Sequence, residues 1–146
     1  MTAQTFKKVD IACAQLESAL RTFFDGGDRF AVITLAGAAD EILGRFLELG
    51  GQTSSVKILA KSAAEMHKLL YKEELPDKHF LLRANMARNS IKHLDSTNDL
   101  EVTFDPEDEA MDMLVRATDN YFALGLPESH LVRQFNEWYM KNIIGA

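Results

Sequence analysis

Only one cysteine, Cys13, occurs in 146 residues. That excludes an internal disulfide and any zinc site built on paired thiolates. Cys13 falls within an amphipathic helical pattern, so it reads as a buried, inert thiol in a chain compatible with a reducing cytoplasm. Long apolar runs are missing too. The longest uncharged stretch, "FAVITLAGAA" at 30–39, is far short of the roughly 20 residues needed to span a bilayer. "MTAQTFKKVD" turns polar at once and has no apolar signal-peptide core. These absences lead to the expectation of a soluble, cytoplasmic protein with no membrane partner.

Basic charge is also scarce. With 16 Lys and Arg against 22 Asp and Glu, the net charge is −6, which argues against a broad nucleic-acid-binding surface and leaves no DNA face evident. The distribution says more than the sum. Between Lys78 and His93 stand four Lys or Arg, two His and no acid. One segment runs against the charge of the whole. The length suits a single domain, residues 1–146, able to bury a core without staples.

Apolar spacing predicts an all-α fold. The expectation is an up-and-down bundle of about five to six helices, with one short extended segment near 100–104. Phe6, Val9, Cys13, Leu16, Leu20 and Phe23 recur at threes and fours, placing the first helix over about 5–24. "DGGD" ends it, with Asp28 capping the second, which runs to Gly50-Gly51. The third spans about 55–73 after the hydroxyls of "QTSS". Pro76-Asp77 begins the fourth, to about Leu94, with Asp77 as its expected cap. "LEVTF" alternates and is rich in β formers, so it reads as a strand or extended arm, or as coil if nothing pairs with it. "DPEDE" is a strong helix start. That fifth helix closes at Gly125, and Pro127 opens the sixth. The second helix is the most apolar and belongs at the centre. Gly37 within it costs about 1 kcal/mol against alanine, so another element must approach it closely.

The basic segment takes shape on a helical wheel. At about 100° per residue, Phe80, Ala84, Ala87, Ile91 and Leu94 form one apolar stripe. Asn85, Arg88, Asn89, Lys92, His93 and Ser96 form a polar arc opposite, without an interleaved acid. Leu81, Leu82 and Met86 border that arc, which suggests a second packing surface and, most simply, a subunit interface. On the second helix Asp40 sits at the edge of a broad apolar arc, where a carboxylate needs a partner. Arg88 or Lys92 is the natural choice, and Glu41 lies on the adjoining polar side.

"RNSIKH", residues 88–93, resembles the R-x(4–6)-H motif of the HEPN superfamily of small all-α domains. Helix order and size, and "AGAADEIL" in the second helix, are similar as well, over roughly residues 5–125. The resemblance implies a homodimer in which two copies of the motif form one composite site for RNA or a nucleotide. In active members this site is a metal-independent endoribonuclease, so no metal and no cofactor is implied. Carried over, Arg88 would stabilise the phosphate, Asn89 orient it and His93 serve as general acid or base. Lys92 would add charge, and Asp40 or Glu41 would match the acid of the second helix. RNA brings its own nucleophile, the 2′-hydroxyl, so positioning, a proton shuttle and charge stabilisation suffice. An Arg fork suits a dianionic phosphorane, and a His near its usual pKa of about 6.5 suits proton transfer. The superfamily also contains antitoxin and scaffold modules that cleave nothing. The competing reading is therefore a non-catalytic helical interaction module, with a cognate partner protein and a structural ion-pair network.

Other signals carry less. "ELGGQTSS" lacks the Lys-Ser/Thr of a P-loop. His67, His79 and His130 share no acid at ligand spacing and read as surface residues, although His67 could approach the site from the third helix. Phe135, Trp138, Tyr139 and Ile143 recur at helical spacing and suit core or interface packing better than base stacking.

Overall fold

The computed structural model describes residues 1–145, and every element in it is helical. Seven helices follow in order: α1 Lys8–Phe24, α2 Arg29–Leu49, α3 Ser55–Tyr71, α4 Asp77–Ala84, α5 Met86–Ser90, α6 Pro106–Ala123 and α7 His130–Tyr139. A π-helical turn, Met140–Ile144, ends the described chain. The all-α bundle expected from periodicity is what forms. No helix among the described residues is long and apolar enough to cross a membrane.

α2 is the axis of the molecule, packed along α1 on one side and α6 on the other. Val32, Ile33, Ala36, Ala39 and Leu43 of α2 are fully buried, as are Leu16 and Leu20 of α1 and Met113 and Leu114 of α6. α7 closes the core, where Phe23 meets Phe135 and Trp138 edge-to-face at 5.9 and 5.2 Å. The Tyr121 hydroxyl donates to the Pro127 carbonyl and so ties the end of α6 to the turn before α7. The aromatic residues of the last helix therefore pack in the core, but Ile143 beyond them is exposed.

Two helix starts form as the sequence requires. Asp28 accepts from the Phe30 amide at 2.8 Å. Asp105 accepts from the Glu107 and Asp108 amides, with Pro106 in the first position. Asp77 does not cap; Pro76 holds the cap position and Asp77 is the first helical residue.

Two expectations are corrected. Residues 100–104 form no strand, because no other strand exists among the described residues to pair with them. That arm is instead anchored at its end, where Phe104 lies edge-to-face on Phe30 at 6.1 Å. The predicted fourth helix is not continuous to Leu94. It breaks at Asn85 (φ −103°, ψ 0°) into α4 and α5, and α5 stops at Ser90. A break restarts the helical phase, and the wheel drawn across it fails accordingly. Arg88 points into the protein beside the buried Ala87, and Leu94, expected in the core stripe, is 71% exposed.

α3 and α4 differ from the rest. They pack chiefly on each other, with His67 of α3 against Phe80 of α4. Only Ser55 and Ala60 of α3 are buried, and no residue of α4 is. This hairpin leans on the core and contributes little to it.

Candidate functional site

A buried carboxylate organises the polar centre. Asp40, on the inward side of α2, is 2% exposed. Its Oδ2 accepts from Arg116 Nη2 at 2.6 Å and, less tightly, from Arg88 Nη1 at 3.5 Å. Its Oδ1 accepts from Asn120 Nδ2 at 3.0 Å. Arg116 and Asn120 stand four residues apart on α6 and so reach the same point. Burial pushes the Asp40 carboxyl above its ordinary value, the Arg116 charge and hydrogen bond oppose this, and the Arg88 charge opposes it less. Both oxygens accept and neither donates, which is the bonding pattern of the ionised form.

The sequence pointed to Arg88 or Lys92 as the partner of Asp40. Arg88 does contribute, but Arg116 is the main partner. Arg116 is fully buried, and its Nη groups also donate to the Ala84 carbonyl at 3.0 Å and to Asn85 Oδ1 at 2.8 Å. These bonds fix the break between α4 and α5 by satisfying the carbonyl and amide exposed there. Its Nε has no partner among the described residues. Asn120 reaches further, accepting from the Ser55 amide at 2.8 Å and thereby starting α3. Neither Arg116 nor Asn120 was singled out from sequence. Both lie at the edge of the apolar stripe of α6 (Ala110, Met113, Leu114, Ala117, Tyr121), the kind of position that drew attention to Asp40.

Arg88 is held differently. Its aliphatic stem lies on Gly37, where a Cβ would sit 2.7 Å from both Arg88 Cγ and Cδ. The close approach required at that mid-helix glycine is thus made by one side chain of α5. Its Nε donates to Asn89 Oδ1 at 3.4 Å, and Nη1 lies 4.0 Å from Glu41 Oε2. Lys92 Nζ is also 4.0 Å from Glu41 Oε2. Asn89, Lys92 and His93 are exposed, and His93 lies past the end of α5, in irregular chain. Asn89 and His93 therefore do not share one helical face. His67 takes no part; it lies beside Tyr71 of its own helix and meets Phe80 in the α3–α4 contact.

Asp40, Glu41, Arg88 and Arg116 open onto a cleft of about 250 Å³ between α2, the start of α3 and the α4–α5 break, with Glu48, Ser54 and Leu81 on its walls; Asn89, Lys92 and His93 do not line it. Glu48 is bound there by Ser54, Lys57 and Arg45. Set one buried carboxylate against two guanidiniums and the inner site carries a surplus positive charge. Glu41, mostly exposed and no closer than 4.0 Å, offsets it weakly. Among the described residues no group of three or more His, Cys, Asp or Glu is placed to hold a metal ion. No family model matches this chain, and neither a curated protein nor a solved structure does.

Proposed function

We propose that the chain is a HEPN-like helical protein that binds RNA or a nucleotide as a homodimer, with cleavage of RNA as the specific reaction. The composite site would join Arg88, Asn89, Lys92 and His93 with their copies. One observation carries this reading: Arg88 is redundant for neutralising Asp40. Arg116 and Asn120 already satisfy both carboxylate oxygens at 2.6 and 3.0 Å. Burying a second guanidinium against a satisfied carboxylate costs desolvation without a matching structural return. Such a cost is in keeping with a preorganised donor kept for an anion. Lys92 and Asn89 stand exposed beside it, groups that suit a phosphate, with the exposed Glu41 at 4.0 Å offsetting their charge only weakly.

The chemistry needs no further group. The 2′-hydroxyl oxygen attacks phosphorus, and the bond from phosphorus to the 5′-oxygen breaks. The products are a cyclic phosphate and a free 5′-hydroxyl. His93 would take or give the proton, and Arg88 would stabilise the charge on the phosphorane oxygens. The competing reading, a non-catalytic helical interaction or antitoxin-like module, is favoured by the extent of the Asp40–Arg116–Asn120 network. It joins four elements of the fold without any ligand.

Incubation with single-stranded RNA in EDTA separates the two. Wild type is expected to cleave, with His93→Ala and Arg88→Ala each reducing the rate at least about 100-fold. Activity equal in all three, or absent from all three, overturns the nuclease reading. Retention of RNA binding by wild type and its loss in Arg88→Ala preserves the binding reading alone.

A further inference from the structure

Two donors in the cleft beside Asp40 have nothing to bond to. Asn85 stands at the N-cap position of α5, yet its side chain makes no capping bond. Its Oδ1 accepts instead from Arg116 Nη2 at 2.8 Å. That bond fixes the amide, because a guanidinium only donates and only the oxygen can accept. The Nδ2 group is therefore turned away from Arg116, and it meets no acceptor among the described residues. Arg88 follows in the first turn of α5 and is only 8% exposed. Its bonds run from Nε and Nη1, so Nη2 also lacks an acceptor among the described residues. Both residues line the cleft of about 250 Å³. Neither free donor is sealed by packing, whereas the unpaired Nε of Arg116 is.

The carboxylates of the cleft are already spoken for. Asp40 takes Arg116 and Asn120, and Glu48 is engaged by Ser54, Lys57 and Arg45. Glu41 stays mostly exposed and comes no closer to Arg88 than 4.0 Å. Buried donors in a folded protein are ordinarily paired, so a guanidinium this enclosed with a free nitrogen needs a reason. An oxyanion supplies one, since charge-assisted bonds to its oxygens are the strongest these groups can make.

We infer that Arg88 Nη2 and Asn85 Nδ2 form a two-donor seat for one phosphate group, complete within a single chain. The class of anion comes from the reading of Arg88 as the ligand of an RNA phosphate, and the inference rests on that reading. It adds Asn85 as a second ligand. It also separates this seat from Asn89, Lys92 and His93, which lie outside the cleft. The break between α4 and α5 serves the seat, because it frees the Asn85 side chain from capping. Arg116 then acts through Asn85, holding the amide so that its donor stays open.

Nuclear magnetic resonance of the 15N-labelled chain tests this with inorganic phosphate over about 0.5–50 mM, against chloride at equal ionic strength. The Asn85 side-chain amide and Arg88 guanidinium signals are expected to move together and to saturate. Asn85→Asp keeps an oxygen for Arg116 and replaces the free donor by an acceptor. It should weaken phosphate binding at least about tenfold. Asn98→Asp makes the same charge change in an exposed loop and should weaken it less than about threefold. If Asn85→Asp does not fold by circular dichroism, the wild-type signals decide alone. Signals that stay still, or that move as far with chloride, overturn the proposal. So does a folded Asn85→Asp that binds like wild type, or an equal loss in Asn98→Asp. Single-stranded RNA, titrated in EDTA, separates the two readings. Movement of the same signals gives the seat to an RNA phosphate. A response to inorganic phosphate alone keeps the seat for a free phosphate and removes the RNA reading.

Discussion

The two arginines on Asp40 belong to different halves of the molecule, and the difference lies in what each is committed to. Arg116 comes from the packed half, built of α1, α2, α6 and α7, and its Nη groups bond to α2, to the end of α4 and to Asn85 at the break. Arg88 comes from the lightly packed half, α3 to α5, and makes only long contacts, at 3.4 and 3.5 Å. One guanidinium holds the fold together. The other is placed beside an exposed cationic rim and is little needed where it lies. Buried charge in a protein can be structural or held in reserve, and bond completeness distinguishes the two.

Removing Arg116 should have the largest effect. Arg116→Met leaves the Asp40 carboxylate buried with a distant partner and strands the Ala84 carbonyl and Asn85. Loss of one member of a buried pair costs about 3–5 kcal/mol. For a chain of this size that corresponds to a fall in Tm of roughly 10 °C or more. Thermal and urea denaturation measure it. A drop smaller than that of Arg88→Met would reverse the assignment of roles.

Arg88→Met should cost less, about 1–2 kcal/mol, because Asp40 keeps Arg116 and Asn120. If Arg88 serves an anion, RNA affinity should fall tenfold or more in the same variant, at a salt concentration held fixed. Stability and binding then separate: one arginine moves Tm, the other moves binding. A variant that loses as much stability as Arg116→Met would make Arg88 an ordinary structural residue.

Gly37→Ala tests the same separation from the other side. A methyl there would meet the Arg88 stem at 2.7 Å and push it off its seat. Alanine in a helix interior gains about 1 kcal/mol over glycine, which offsets the displaced contact. Tm is expected to move by less than about 3 °C while RNA affinity drops toward that of Arg88→Ala. Unchanged affinity with unchanged Tm would show that the Arg88 position has no bearing on binding.

The packed half was legible in the sequence, and the reasons are local. Apolar residues at threes and fours fixed α1, α2 and α6, and Asp28 and Asp105 marked starts that their side chains do cap. The lightly packed half was less so. Nothing in "LLRANMARNS" announces that Asn85 leaves the helical phase. The break depends on Arg116, some thirty residues away in sequence, bonding to Ala84 and Asn85. A wheel presumes one unbroken phase, so it set Arg88 on the arc opposite the core stripe, whereas Arg88 is buried against Asp40, as the need of that carboxylate for a partner suggested. Asp40 itself was readable, because a carboxylate at the edge of an apolar arc needs a partner. The same test applied to α6 finds Arg116 and Asn120, polar residues four apart beside Met113 and Ala117, and it is the one signal that would have completed the cluster.

The smallest expected effect contrasts the two halves with one reagent. Cys13 is half-buried on α1. Burial pushes its thiol above the ordinary value, and the charges of Asp10 and Glu17 add to this. The thiolate is the reacting form, so a raised value means less of it at any pH below the shifted value. Iodoacetamide at pH 8 should therefore alkylate Cys13 several-fold more slowly than a small free thiol, and urea should abolish the difference. The folded chain holds this proton more tightly than the unfolded one. Native stability therefore declines slightly as pH rises past the unfolded thiol's value of 9.0. Against this, a cysteine placed at Leu70 in a Cys13→Ser background stands on an exposed helix face. It should react nearly as a free thiol does. Equal protection at both sites in dilute solution would mean that α3 is as well packed as α1, contrary to the contrast between the halves.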